Sequence, residues 1–332
     1  MTRKYFIVIG VLAAALMLMV GCSGERGLKG DPGTAECIQC HSDNTLIVSI
    51  SHQWDNSVHA TGGNFERNTS PCANCHTSEG FVQFVATGDG GVPSNPSSIG
   101  CFTCHEPHTN HNFNLRTTEP VTLELSTDTY DRGLSNLCAN CHHGRALSPA
   151  ITQTTRITSN RWGPHHGTQG DILNGSSAYV FAGATYRNSP HTTMVTDGCP
   201  TCHMQSAYGV QAGGHTMNLT YDNHGTETDL VAGCNITGCH SGLTNFNYED
   251  SQDSVEVLLE ALREELVAGS ILNGSTGLPN ASSSDTLVLS ADQAGALYNF
   301  LFFEDDRSLG VHNTKYAYDA LNASIEAVAP TE

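Results

Sequence analysis

Twelve of the thirteen cysteines fall in pairs, and a histidine follows the second cysteine of every pair. Five pairs read Cys-x-x-Cys-His: Cys37, Cys40 and His41; Cys72, Cys75 and His76; Cys101, Cys104 and His105; Cys138, Cys141 and His142; and Cys199, Cys202 and His203. The sixth, Cys234, Cys239 and His240, ends the same way but holds four residues between its thiols. Zinc sites assembled from cysteine pairs need two pairs for each metal. A disulfide framework suits an exported chain but gives no reason for the recurring histidine.

Two thiols beside an imidazole match the attachment of one covalent haem. The thiols form thioethers to its vinyl groups, and the histidine takes the proximal iron position. The six motifs predict six haem c groups, with His41, His76, His105, His142, His203 and His240 as proximal ligands. In the sixth motif the longer loop from Asn235 to Gly238 carries a glycine that lets it bulge. Motif starts at 37, 72, 101, 138, 199 and 234 leave one cofactor per 29 to 61 residues, so haem is expected to supply much of the core. With 38% apolar residues and Gly/Asn/Ser/Thr-rich turns between motifs, the expected fold is loop-rich and mostly α-helical, haem-packed, with little or no sheet. Such a polypeptide is expected to be unfolded without its cofactor, because cofactor binding creates the core.

The amino terminus reads as an export signal. Arg3 and Lys4 precede an apolar run from Phe6 to Val20, too short for a convincing membrane span, and then Gly21-Cys22. Cys22 lies outside every pair and resembles the lipidated cysteine of a bacterial lipobox, although Met19 stands where leucine is usual. Ser23 after it is similar to the outer-membrane sorting pattern. Residues 1–21 are therefore read as a lipoprotein-type signal and 22–36 as a Gly-rich tether. Extended, that tether would lift the first haem about 30–45 Å from a lipid anchor.

Residues 37–249 form the expected haem-binding region, and 250–332 a helical segment that packs on it. In the tail Val255, Leu258, Leu259, Leu262 and Leu266 recur with helical period, and Gly269 to Ser284 ends that helix. A second helix is predicted to start at Ser290, with Gln293 completing a capping box, and a third to cover Lys315 to Ala327.

Seventeen histidines leave eleven beyond the proximal six, more than enough to make every iron six-coordinate. The distal candidates are His59, His108, His143, His166, His191, His215 and His312, at most six of them used. His165 competes with its neighbour His166, and His111 with His108; His52 and His224 rank lowest. Two imidazoles on iron fill both axial sites and limit reorganisation on electron transfer, which favours conduction over substrate binding.

The chain resembles the bacterial multihaem cytochromes c. Two stretches carry a closer resemblance to the group containing pentahaem ammonia-forming nitrite reductase and the related octahaem enzymes. One runs Arg161-Trp-Gly-Pro-His165-His166, then Tyr179, Ser189-Pro-His191 and Cys199-Pro-Thr-Cys-His203-Met204; the other is Asp306-Arg-Ser-Leu-Gly-Val-His312-Asn313 leading to Tyr316. The resemblance implies a helical tail that organises haem contacts and a distal role for His312. It also marks a departure, since the catalytic haem of those reductases uses lysine in the proximal position and all six motifs here end in histidine. A second resemblance is to outer-surface cytochromes of metal-reducing bacteria, some of which polymerise, so a homopolymer belongs among the expected assemblies.

The formal charge of −19 argues against nucleic acid as a partner and favours basic redox proteins, cationic shuttles or mineral acceptors. Calcium is compatible with the acidic loops, although no EF-hand spacing occurs. These readings predict an exported electron carrier of the outer membrane or cell exterior, with the periplasm as the alternative location. No catalytic residue is assigned; the competing functions are a reductase of small oxyanions or nitrogen compounds with one open haem, and a polymeric wire.

Overall fold

Turn formers keep interrupting the front of the chain, so its helices are short. The computed structural model describes residues 45–110 and 112–329. The signal, Cys22, the tether and His111 lie outside the described residues, as does the whole first motif of Cys37, Cys40 and His41. Nearly all described residues belong to one compact unit, Val48–Glu332. Its helices begin with α1 (Thr45–Asp55), α2 (Val58–Thr61), α3 (Ala73–His76), α4 (Ser78–Thr87), α5 (Cys101–Cys104) and α6 (Pro107–Asn110). They continue with α7 (Asn136–Ala139), α8 (Gln169–Asn174), α9 (His191–Met194) and α10 (Cys199–His203).

The cysteines of the second to fifth motifs sit on or beside single helical turns, and a shared bond closes three of them. The N–H of His76, His105 and His142 donates to the carbonyl of the motif's first cysteine at 3.1, 2.9 and 2.9 Å. The sixth motif has no helix, yet His240 N donates to Cys234 O at 3.1 Å. Its two extra residues loop out through Gly238, whose φ of 89° is open to glycine at no steric cost. The longer spacing thus changes the loop and keeps the closure.

Sheet is limited to three two-stranded antiparallel ribbons among the described residues. β1 (Val121–Thr122) pairs with β2 (Thr129–Tyr130), β3 (Thr154–Ile157) with β6 (Leu287–Ser290), and β4 (Thr220–Asn223) with β5 (Thr226–Asp229). The β4–β5 turn holds His224 and Gly225 at φ 56° and 88°, the positive pair that a tight hairpin needs. The β3–β6 register, Thr154↔Ser290 through Ile157↔Leu287, fastens the middle of the chain to the start of the tail.

Three long helices form the tail: α11 (Ser251–Ala268), α12 (Ala291–Asp306) and α13 (Thr314–Val328). α11 buries Val255, Leu259, Leu262 and Leu266 on one face, as its period predicts. α12 begins with the predicted capping box: Gln293 N donates to Ser290 Oγ, and Ser290 N to Gln293 Oε1. From Ala294 to Phe303 every residue of α12 is buried, so this helix runs through the centre of the packing. α13 faces it with Tyr316, Ala317, Ala320 and Leu321.

Cofactor was expected to supply much of the core, and the side chains divide that task unevenly. The main apolar cluster draws on Ile157, Trp162, Ile172, Ala178 and Phe181, and otherwise lies entirely at or beyond Val255. The second cluster contains only Val121, Leu123, Tyr130, Ala139 and Leu173. Apolar burial therefore stabilises the tail by itself, while the motif region has little of it.

Candidate haem sites

Five of the histidines predicted as proximal ligands each face a second imidazole from a distant part of the chain. The ring centres of His76 and His165 are 6.2 Å apart, His105 and His215 6.2 Å, and His142 and His59 6.0 Å. His203 and His312 stand 6.4 Å apart, and His240 and His191 6.0 Å. Two imidazoles on opposite sides of one metal, with each nitrogen about 2 Å from it, place their ring centres about 6 Å apart. The spacing therefore fits axial coordination of one iron per pair, with the adjacent thiols available for attachment.

The predicted attachment thiols are not equally sheltered. Cys72, Cys75, Cys104, Cys138, Cys141, Cys199, Cys202 and Cys234 are half-buried. Cys101 and Cys239 are exposed. For Cys239 the reason is the four-residue spacing: the loop that bulges through Gly238 carries the second thiol out to solvent, while Cys234 stays with the packed chain. Cys37, Cys40 and His41 lie outside the described residues.

Hydrogen bonds set which nitrogen is presented by His105, His142, His191, His203 and His312. Nδ1 of His105, His203 and His191 meets the carbonyls of Phe113, Met217 and Val311 at 2.7, 3.0 and 2.7 Å. His142 Nδ1 meets Gln169 Oε1 at 3.2 Å, and His312 Nδ1 meets Asp306 Oδ1 at 2.6 Å. These oxygens are acceptors, so Nδ1 carries the proton and Nε2 keeps the lone pair a metal needs. Burial, reinforced by His142 and His203, lowers His59 to about 4; burial, Arg145 and neighbouring histidines lower His165 to about 4. Burial also lowers His76, His191, His203 and His215, favouring the neutral ligand form. His312 moves the other way: burial opposes its charge, but the Asp306 carboxylate outweighs burial.

Local structure aims the distal rings. Ser57 caps α2, accepting from Ala60 N at 3.1 Å, and Trp54 stacks on His59 with rings 7° from parallel. His215 sits on a turn entered through Gly213 and Gly214, both at positive φ, and its N–H donates to Gln53 Oε1 at 3.0 Å. A side chain on Gly214 would collide with that same oxygen. The tail holds the last two rings: Asn313, fully buried, accepts from Ser189 N at 2.8 Å and donates to Ile172 O and Asn188 Oδ1. Together with the Val311 carbonyl it fixes the Ser189-Pro190-His191 corner. Asn313→Ala is expected to leave a buried N–H unpaired at about 1–3 kcal/mol. It should also loosen His191, seen as partial high-spin character at one haem in the oxidised spectrum.

Of the distal candidates, His59, His191, His215 and His312 face motif histidines. In the adjacent pair it is His165 that does so, not His166: His165 adopts φ 65°, which turns it toward His76. His166 points outward, with Nδ1 2.8 Å from Asp305 Oδ1 and its side chain 72% exposed. His143 donates Nδ1 to Ala139 O at 2.7 Å and directs Nε2 toward Glu124 at 3.7 Å. His108 lies beside Phe102 with ring centres 5.7 Å apart. Nothing in the local sequence separates His165 from His166, because the sign of φ at that residue follows from its tertiary surroundings.

The motifs also touch one another. Ser78 Oγ, after the second motif, bonds Thr103 Oγ1 of the third at 2.7 Å, and Cys75 Sγ lies 3.6 Å from the Asn140 carbonyl of the fourth. Tyr130 OH joins Ser135, just before the fourth motif, to Cys199 Sγ of the fifth at 2.7 and 3.8 Å. Gln205, after the fifth motif, bonds Leu230 O at 2.6 Å and Gly233 N, the residue before Cys234. Beside His165, a cavity of about 310 Å³ is lined by Glu124, Arg145, Arg161 and Trp162, and its guanidiniums suit carboxylate-bearing groups such as propionates. Among the described residues no cluster of three acidic, histidine or cysteine side chains is arranged to hold a free metal ion, so the calcium expectation gains no site there.

No family model matches the sequence, and no curated protein matches it. The structure is similar to the crystal structure of the outer cell wall cytochrome OcwA, with TM-score 0.51 and 17% identity over 83% of this chain and 49% of that one. The undecahaem cytochrome from the S-layer of Carboxydothermus ferrireducens aligns at TM-score 0.48 and 16% identity, over 84% of this chain and 41% of that one. The chain spans less than half the length of either protein. Its fold is shared with the outer cell wall cytochrome: loop-rich and mostly helical, with little sheet.

Proposed function

We propose that the chain is an exported, lipid-anchored carrier of six haem c groups that relays single electrons at the cell surface. The observation that carries this reading is the set of five facing imidazole pairs, each uniting a motif histidine with a histidine from elsewhere. Haem bound there supplies one-electron oxidation and reduction, and a second imidazole favours the low-spin, low-reorganisation state suited to transfer. Thiols of the six pairs would hold the groups covalently, and Nδ1 hydrogen bonds orient the rings of His105, His142, His191, His203 and His312. A second imidazole at these five positions leaves a substrate no axial site there, which favours a carrier over an oxyanion reductase.

The contacts between motifs support a path. In the proposed order the second, fourth, fifth and sixth haems form a line, with the third beside the second. The outer cell wall cytochrome of like fold and the lipobox-type Cys22 support a surface location. A net charge of −19 favours basic redox partners or cationic acceptors.

Low-temperature EPR of the fully oxidised protein, with haem counted on the same sample, tests the reading. Axial rings donate into iron d orbitals, so near-parallel rings split those orbitals and near-perpendicular rings leave them close in energy. The 33° and 38° pairs, His203/His312 and His105/His215, should give rhombic low-spin signals. The 90°, 74° and 68° pairs should give strongly anisotropic ones. A high-spin signal of several haems, or one that shifts with nitrite or hydroxylamine, would replace the carrier by an enzyme.

A further inference from the structure

Among the five facing pairs, only His203/His312 has a ring whose hydrogen-bond acceptor is a carboxylate. His105, His191 and His203 donate to backbone carbonyls and His142 to a carboxamide, all neutral groups. His312 Nδ1 meets Asp306 Oδ1 at 2.6 Å, and the Asp306 side chain is 2% exposed. Ser308 Oγ donates to the second carboxylate oxygen and also accepts from His312 N at 3.3 Å. Asp306 is thus held at a fixed bearing on one ring and nearly out of water.

Its placement costs stability. Asp306 is the last residue of the 16-residue helix α12, where the helix dipole is negative and a carboxylate is disfavoured. A buried carboxylate there could be replaced by a neutral amide that accepts the same bond without the dipole penalty. The charge itself is therefore the feature that needs a reason, and the ring it addresses faces a proximal histidine.

We propose that Asp306 is an electronic positioning residue that makes the haem of the fifth motif the lowest-potential of those at the five facing pairs. The proposal rests on the six-haem reading above. A carboxylate on Nδ1–H draws the proton toward itself and raises the basicity of Nε2, the atom turned toward iron. A stronger donor and a nearby negative charge in a site of low dielectric both stabilise ferric over ferrous iron. The one-electron reduction leaves the proton on Nδ1, so it needs no co-reactant beyond the incoming electron. The Ser308 hydroxyl takes part of the carboxylate's charge and so moderates the effect. Because the fifth motif lies between the fourth and sixth, this group sets an uphill step inside the path.

The test is a spectroelectrochemical titration of the full-length, haem-loaded protein with Asp306→Asn and Ser308→Ala variants, haem content and EPR being read on the same samples. Asparagine keeps an acceptor for Nδ1–H and removes the charge. Asp306→Asn is expected to raise one low-lying midpoint potential and leave the other components in place. Ser308→Ala, by freeing the carboxylate, should lower that same component. Absence of any shift, equal shifts of all components, or shifts of the same sign in both variants would overturn the assignment. Loss of the haem or of its low-spin signal in Asp306→Asn would also overturn it, making Asp306 a structural prop. A wild-type sample with fewer haems, or with high-spin iron, would instead count against the six-haem reading itself.

Discussion

Replacing His165 with alanine is expected to turn one haem from low-spin to high-spin, whereas His166→Ala leaves every spin state as it was. The two residues are adjacent, so composition and spacing treat them alike. His165 takes the left-handed conformation at φ 65°, which costs a non-glycine residue about 1–2 kcal/mol. That strain places its ring centre 6.2 Å from His76. His166 forms an exposed pair with Asp305, and such a pair contributes about 0–1 kcal/mol. Room-temperature absorption and EPR of both variants decide the matter, with haem content confirming attachment through Cys72 and Cys75. Should His166→Ala produce the high-spin haem, the backbone at this corner would have to be turned, and the second motif would need a different partner.

The haem-free chain is expected to retain its tail and lose its front. Produced without haem attachment, it should show protected amides in Ser251–Val328 and near-unprotected exchange through residues 73–142 and 199–240. The main apolar cluster is drawn almost wholly from residues at or beyond Val255, together with Ile157, Trp162, Ile172, Ala178 and Phe181. Around the motifs the second cluster holds five residues. Burying a leucine or phenylalanine stabilises by about 1.5–3 kcal/mol, so the tail can offset the entropy of ordering its helices and the motif region cannot. Each haem held there would act as core and ligand together. Hydrogen exchange followed by mass spectrometry reads the two regions separately. Uniform protection would show that the polypeptide builds the motif region unaided; uniform exchange would mean the tail depends on haem as well, as the composition alone suggests.

Much of the tail was legible because its signals are local. The Ser290–Gln293 capping box, the spacing of Val255, Leu259, Leu262 and Leu266, and Gly269 just beyond α11 fix helix ends through neighbours a few residues away. The third helix, predicted for Lys315 to Ala327, extends by one residue at each end. The β3–β6 ribbon was not legible, because each strand is four residues long and its partner lies far along the chain. The uneven division of the core was also hidden: apolar content is a single figure for the whole sequence, and its placement is not.

The candidate sites divide along the same line. Sequence determined the thiol pairs and the histidine that follows each, since attachment chemistry acts within five to seven consecutive residues. For Cys37 and Cys40 it remains the sole source, and for Cys239 the structure adds the exposure that the longer loop imposes. Local patterns around His59, His191, His215 and His312 marked them as candidates for facing rings. Only the tertiary structure matched His59 to His142, His165 to His76, His215 to His105, His312 to His203 and His191 to His240. It also set Asp306 against His312 and turned His165 rather than His166 inward. Those choices depend on where packed helices and strained turns bring side chains from remote segments, and no periodicity along the chain encodes that distance.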